Sequence, residues 1–148
     1  MAEERPEPAS RIMITVGGNE IDAETVRLAI RMAKQRGAKL YAIHIIEVNR
    51  SLPLGAIVDR DVQRGEQILD EVEQLAHEME HDIETELVQA RETGPAVVDE
   101  AQEWGAQMIV MGLPYKRRFG EFNLGRTVPY VLKNAACRVV LFRERRES

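Results

Sequence analysis

Apolar positions along the chain fall into short runs separated by longer segments of helical period. Residues 12–16, IMITV, are apolar or β-branched without alternation, the pattern of a strand covered on both faces. The run ends at Gly17, Gly18 and Asn19. Asp22 can cap the helix that follows, in which Val26, Ala29, Ile30 and Ala33 share one face and Gly37 supplies the stop. A second apolar strand spans 40–48, and residues 49–60, with no clean period, form a loop able to fold over a site. The next helix, over 61–81, carries Ile68, Leu69, Val72, Leu75, Ala76 and Met79 as one stripe opposite a strongly acidic face. Residues 83–90 alternate in part and predict a third, more exposed strand. Gly94 and Pro95 open a third helix with Val97, Val98, Ala101 and Trp104 inward, closed by Gly105.

Residues 107–132, QMIVMGLPYKRRFGEFNLGRTVPYVL, organise the rest. An apolar run over 108–111 stops at Gly112, a basic, glycine-bearing loop follows, and helical period resumes with Val128, Val131, Leu132 and Ala135. Backbone amides at a helix start attract anions, and a preceding glycine lets a phosphate approach. A fifth strand covers 138–142. Helices between buried strands mean parallel βαβ units with right-handed crossovers, hence a doubly wound α/β sheet. Ligands of such sheets bind beyond the carboxyl ends of the strands. If the first and fourth strands are neighbours, the loops at Gly17 and Gly112 face one crevice.

With 148 residues and 44% hydrophobic content, residues 11–148 are expected to form one domain with one core. Residues 1–10, MAEERPEPAS, offer almost nothing to bury and are expected to be a disordered arm. The net charge of -5 argues against a nucleic-acid surface. No run approaches the roughly 18 apolar residues of a membrane span, and no signal peptide stands out. With a single cysteine, Cys137, whose expected role is structural burial, a cytoplasmic location is expected.

One catalytic motif occurs. His77-Glu78-Met79-Glu80-His81 matches HExxH, the zinc-peptidase signature. Met79 falls on the buried stripe, which turns both histidines to solvent, and the nearest third ligand, Glu84, lies on another element. The match reads as adventitious, with no zinc and no catalytic residues expected. His44, in the apolar second strand, reads as a satisfied core histidine.

Four segments together give a resemblance: IMITVGGNE, AIHIIEV, GPAVVDEAQEWGAQMIVMG and GRTVPYVLKNAACRVVLFR, in this order and spacing. The chain resembles a universal stress protein domain from Arg11 to Arg143. That resemblance implies a five-stranded parallel sheet in order 3-2-1-4-5, flavodoxin-like or adenine-nucleotide α-hydrolase-like. It also implies a homodimer whose fifth strands, here Val139, Val140, Leu141 and Phe142, pair antiparallel; an apolar edge of this kind invites pairing on physical grounds as well.

Members of the family that bind ATP wrap its phosphates with Gly, two residues, Gly, nine residues, Gly and Ser or Thr. Gly112 and Gly125 match the first and third glycines. Tyr115 stands at the second, Arg126 at the Ser/Thr position, and Thr127 one place later. The first strand of ATP binders usually ends in Asp; Gly17 stands there, after Val16. Tyr115 would narrow the phosphate pocket or stack on a base. Arg126 can bind a phosphate bidentately, with Lys116, Arg117 and Arg118 adding attraction, or else pair with Glu121 on a solvated loop. The resemblance places Ile45 and Met111 against the adenine and counts Val16 and Val128 among the adjacent nucleotide-binding positions. It thus implies a regulatory domain that binds ATP or another adenine nucleotide, with magnesium where the phosphates need it, and turns it over slowly or not at all. The alternative is a nucleotide-free dimeric module acting on a partner protein.

Overall fold

Both faces of the sheet are buried, and that is why its central strands are apolar at consecutive positions. The computed structural model describes residues 10–53, 59–115, 117–118, 121–122 and 124–146. In chain order the elements are β1 (Arg11–Thr15), α1 (Asp22–Arg36), β2 (Lys39–Glu47), α2 (Asp59–Glu78), β3 (Glu84–Ala90), α3 (Thr93–Trp104), β4 (Met108–Leu113), β5 (Arg117–Arg118), β6 (Glu121–Phe122), α4 (Thr127–Asn134) and β7 (Arg138–Arg143). Five strands pair in parallel in the order β3-β2-β1-β4-β7. Along β1, Ile12 and Ile14 pack under α1 and α2, whereas Met13 faces α3 and α4; Met108 and Val110 against Ile109 and Met111 divide β4 in the same way. This is the doubly wound α/β architecture expected from the sequence, with β7 as its fifth strand.

The helix stops fall where glycine allows them: Gly37 (φ 62°) ends α1 and Gly105 (φ 76°) ends α3, each in the left-handed region. Other details differ. Asp22 does not cap α1; helical residue 22 turns its carboxylate back onto the preceding loop, where it accepts the amides of Gly17 (3.3 Å), Gly18 (2.7 Å) and Asn19 (3.2 Å). β4 does not stop at Gly112, because Gly112 and Leu113 continue the pairing with Phe142 and Arg143. Leu132 is 52% exposed, so the inward face of α4 is carried by Val128 and Val131 alone. The connection from β4 to α4 contains the two-residue pair β5–β6. Ser10 is tied down rather than part of an arm: its carbonyl accepts the Lys39 amide at 2.8 Å and its hydroxyl donates to Gln107 at 2.9 Å. Residues 1–9 and 54–58, the remaining arm and part of the 49–60 loop, lie outside the described residues.

Gly112 has a packing reason to be glycine. A Cβ there would sit 2.3 Å from the Thr25 hydroxyl oxygen and 3.2 Å from Ile21 Cγ2. Thr25 is fully buried and donates to the Ile21 carbonyl at 2.8 Å, so it cannot swing away without losing that bond. Gly112→Ala is therefore expected to cost about 1–3 kcal/mol in urea unfolding. Thr25→Ala should cost less in that background than in the wild type, a coupling that a double-mutant cycle reads directly.

Burial raises the Asp22 carboxyl above its ordinary 3.8, while the amides of Gly18, Gly17 and Asn19 and the nearby His44 pull it back down. A carboxyl raised on folding stabilises the fold fully only below its unfolded value, and that contribution is lost as pH climbs through the raised folded value. Asp22→Asn keeps an acceptor for the loop and removes the titration. The stability of this variant relative to wild type should rise with pH from 3.8 through the raised value; urea unfolding across that window that shows a constant or falling difference would refute the assignment.

Candidate functional site

β1 and β4 are neighbours in the sheet, with Thr15 opposite Met111, but the helices that follow them cover opposite faces: α1 packs on one and α4 on the other. The two connections part above the carboxyl ends of these strands and leave a crevice of about 350 Å³. Its floor and walls are apolar, with Ile43, Ile45, Val97, Met111, Leu113 and Val128. Its rim is polar, with Asn19, Asp22, His44, Thr93, Arg126 and Thr127. An apolar slot with a few placed polar groups suits a flat aromatic ring carrying a polar substituent.

Most of the residues singled out in the sequence meet here. Val16, Gly17, Ile45, Met111, Gly112, Gly125, Arg126, Thr127 and Val128 all line the crevice. Tyr115 does not. Its amide donates to the Glu144 carboxylate at 3.0 Å, and the Arg143 guanidinium lies 5.0 Å from the centre of its ring, so it belongs to the end of β7 and neither narrows the crevice nor stacks within it. Lys116, and the side chains of Arg117, Arg118 and Glu121, lie outside the described residues. Gly125 has φ +72° and only open space where a Cβ would stand, so its backbone conformation, and not crowding, calls for glycine. Gly17 is different: its φ lies outside the left-handed region, and a Cβ would meet only the Asn19 side-chain nitrogen at 3.2 Å.

The rim gathers backbone amides from three directions, and their electrostatics differ. Asp22 fills the β1 loop. Glu47, at the end of β2, caps α3 from outside, accepting the Thr93 amide at 3.0 Å and the Thr93 hydroxyl at 2.8 Å. At α4 no acidic residue occupies the first turn, and Arg126 immediately precedes the helix without capping it through its side chain. The positive end of α4 is thus reinforced by a guanidinium, while the other two amide clusters carry carboxylates of the chain itself. Sequence reasoning missed Asp22 as a loop closure and Glu47 as a cap. The Glu47 contact spans 46 residues, and no local pattern announces it. His44 is half-buried, and its Nδ1–H donates to the Val16 carbonyl at 2.8 Å, satisfying it as expected, yet its ring also borders the crevice.

Away from the crevice, the HExxH motif loses its geometry. α2 ends at Glu78, Glu80 takes φ 57°, and His81 hydrogen-bonds the Asp82 carbonyl beyond the helix, so the two histidines do not share one helical face. Among the described residues no group of three His, Cys, Asp or Glu side chains could hold a metal ion, and no helix is long and apolar enough to cross a membrane. Cys137 is half-buried against the α3–α4 side of the core, and burial raises its thiol. β7 is an edge strand: Val139 and Val140 are partly covered by the two faces of the core, Phe142 is intermediate and Leu141 is exposed.

Comparison with known proteins gives a consistent picture. The family model described as Universal stress protein family matches residues 8–143. Universal stress protein MJ0531 of Methanocaldococcus jannaschii is 29% identical over 140 residues, covering 90% of this chain and 82% of that protein. A solved universal stress protein from Archaeoglobus fulgidus in complex with dAMP superposes with a TM-score of 0.71 at 24% identity, covering 90% of this chain and 98% of that one. Another, a universal stress protein in complex with cAMP, gives 0.66 at 19%, covering 90% and 95%. At these identities the solved structures speak for the fold. With the family model spanning nearly its whole length, the chain belongs to the universal stress protein family.

Proposed function

We propose that this protein is a regulatory domain that binds an adenine nucleotide in the crevice between β1 and β4, with turnover slow or absent. The observation that carries the reading is the polarity of the crevice, an apolar slot whose far rim is the start of α4, free of acidic residues in its first turn and preceded by Arg126. In this reading adenine enters between Ile45, Met111 and Val97, and the phosphate end meets the amides of residues 126–128 and the Arg126 guanidinium. Asp22 and His44 border the ribose. The dAMP and cAMP complexes of relatives support an adenine nucleotide as the ligand class. A magnesium ion bound with the nucleotide would be held by phosphate oxygens and water, since the described residues offer no carboxylate cluster for it.

A second reading rests on β7. Its exposed Leu141 and its position at the sheet edge suit antiparallel pairing with a second copy, and a nucleotide-free dimer could act on a partner protein. The same edge suits a dimer under the first reading as well. The two part on whether the crevice matters.

Calorimetric titration of the purified protein with adenine nucleotides decides between them. Micromolar binding is expected, and Gly125→Val should abolish it, because a β-branched residue cannot take φ +72° without strain of about 1–3 kcal/mol. Absence of binding, together with absence of a copurified nucleotide by mass spectrometry, would end the nucleotide reading. For the dimer, sedimentation should give twice the chain mass, and Leu141→Glu should return it to a monomer by placing a charge on the paired edge; a wild type that sediments as a monomer removes the second reading.

A further inference from the structure

We propose that Thr15 determines which base the crevice accepts, its hydroxyl taking a hydrogen bond from the 6-amino group of adenine at the crevice floor, an inference that rests on the adenine-nucleotide reading above. In sequence Thr15 passes for one more β-branched residue of an apolar strand. The sheet register gives it a different setting. Thr15 stands opposite Ile43 on one side and Met111 on the other, so the three residues form a row across β2, β1 and β4. Side chains in such a row share one face of the sheet, and Ile43 and Met111, like Met13 two residues earlier on β1, belong to the core beneath α3 and α4. The Thr15 side chain is therefore on that face, where it lines the crevice together with Ile43, Met111 and Val97.

The chain leaves this hydroxyl unsatisfied. Thr25, the buried threonine of α1, donates to a carbonyl one turn back, a partner that a strand does not offer. Around the crevice, Thr93 gives its hydroxyl to Glu47, Asp22 accepts three amides and His44 donates to Val16. Thr15 is half-buried, and its hydroxyl has no hydrogen-bond partner among the described residues. A ligand donor buried on an apolar floor loses its water and needs an acceptor in return, which a hydroxyl set into that floor supplies. Adenine carries such a donor, beside a ring nitrogen that can take the hydroxyl's own proton. Ribose and phosphate find their polar partners at the rim and at the start of α4, which leaves the floor to the base.

Titration of AMP, and of purine riboside 5′-monophosphate, which lacks the 6-amino group, into the wild type, Thr15→Val and Thr15→Ser tests this. The wild type should prefer AMP by about three- to tenfold, the worth of one neutral hydrogen bond. Valine keeps the β-branched shape against Ile43 and Met111 and removes the hydroxyl, so AMP should weaken by that factor and the preference should shrink toward one, with no fall in the urea midpoint. Serine keeps the hydroxyl and should retain the preference. An undiminished preference in Thr15→Val, or AMP bound by that variant as tightly as by the wild type, would overturn the assignment to Thr15 and leave the nucleotide reading in place. Failure of AMP to bind the wild type would overturn both.

Discussion

The structure depends on one constraint: a parallel sheet covered on both faces has no room for polar chemistry inside. Ile12, Met13, Ile14, Ile109 and Val110 are all fully buried on the two central strands, three on one side and two on the other. Polar groups are consequently driven to the strand ends. At the carboxyl ends the adjacent strands β1 and β4 send their connections to opposite faces, and the space between those connections cannot be filled by either helix. The crevice is what double winding leaves unfilled, and the fold keeps it whether or not the local residues suit a ligand.

How the residues furnish that space is a separate matter, and here the chain uses its own carboxylates. Amides exposed by ending strands and starting helices must be satisfied. Asp22 and Glu47 do this for the β1 loop and α3, stabilising the rim without any ligand. Arg126 adds positive charge at α4. Helix α1 contributes to the same region through Thr25, whose buried hydroxyl leaves no space for a side chain at position 112. A glycine that matches a nucleotide motif in sequence is therefore also required by helix–sheet packing, and its presence alone does not distinguish the two roles.

That ambiguity marks how far the sequence was legible. Helix stops at Gly37 and Gly105 and the two-sided core follow from apolar runs and from glycine's tolerance of positive φ, both local properties, whereas the strand order comes from the resemblance to the family and not from any local pattern. The convergence of Val16, Ile45, Met111, Gly125 and Arg126 on one crevice follows from topology, and a parallel doubly wound sheet in the expected order delivers it. The finer geometry of turns and helix ends was not legible, nor was the long-range contact of Glu47 with Thr93. Asp22 has the right chemistry for a helix cap, and only the backward turn of the Gly17–Asn19 loop shows that it serves that loop instead. Leu132 fits the helical stripe of α4, yet an eight-residue helix on the last crossover has too narrow a covered face to bury it. HExxH carries the ligand spacing of a zinc helix and fails because the helix stops inside it.

Tyr115 shows the same limit in the other direction. In sequence it stands where a glycine would let a phosphate approach, and the bulk of its ring suggests either obstruction or stacking. In the structure the ring is directed to Arg143 and the amide to Glu144, and neither lines the crevice. An amide already bonded to a carboxylate of the chain is not open to a ligand, however small the side chain attached. Replacing Tyr115 by glycine would remove the ring and leave the amide with Glu144, so a glycine at this position of the motif would not by itself open that amide to a ligand.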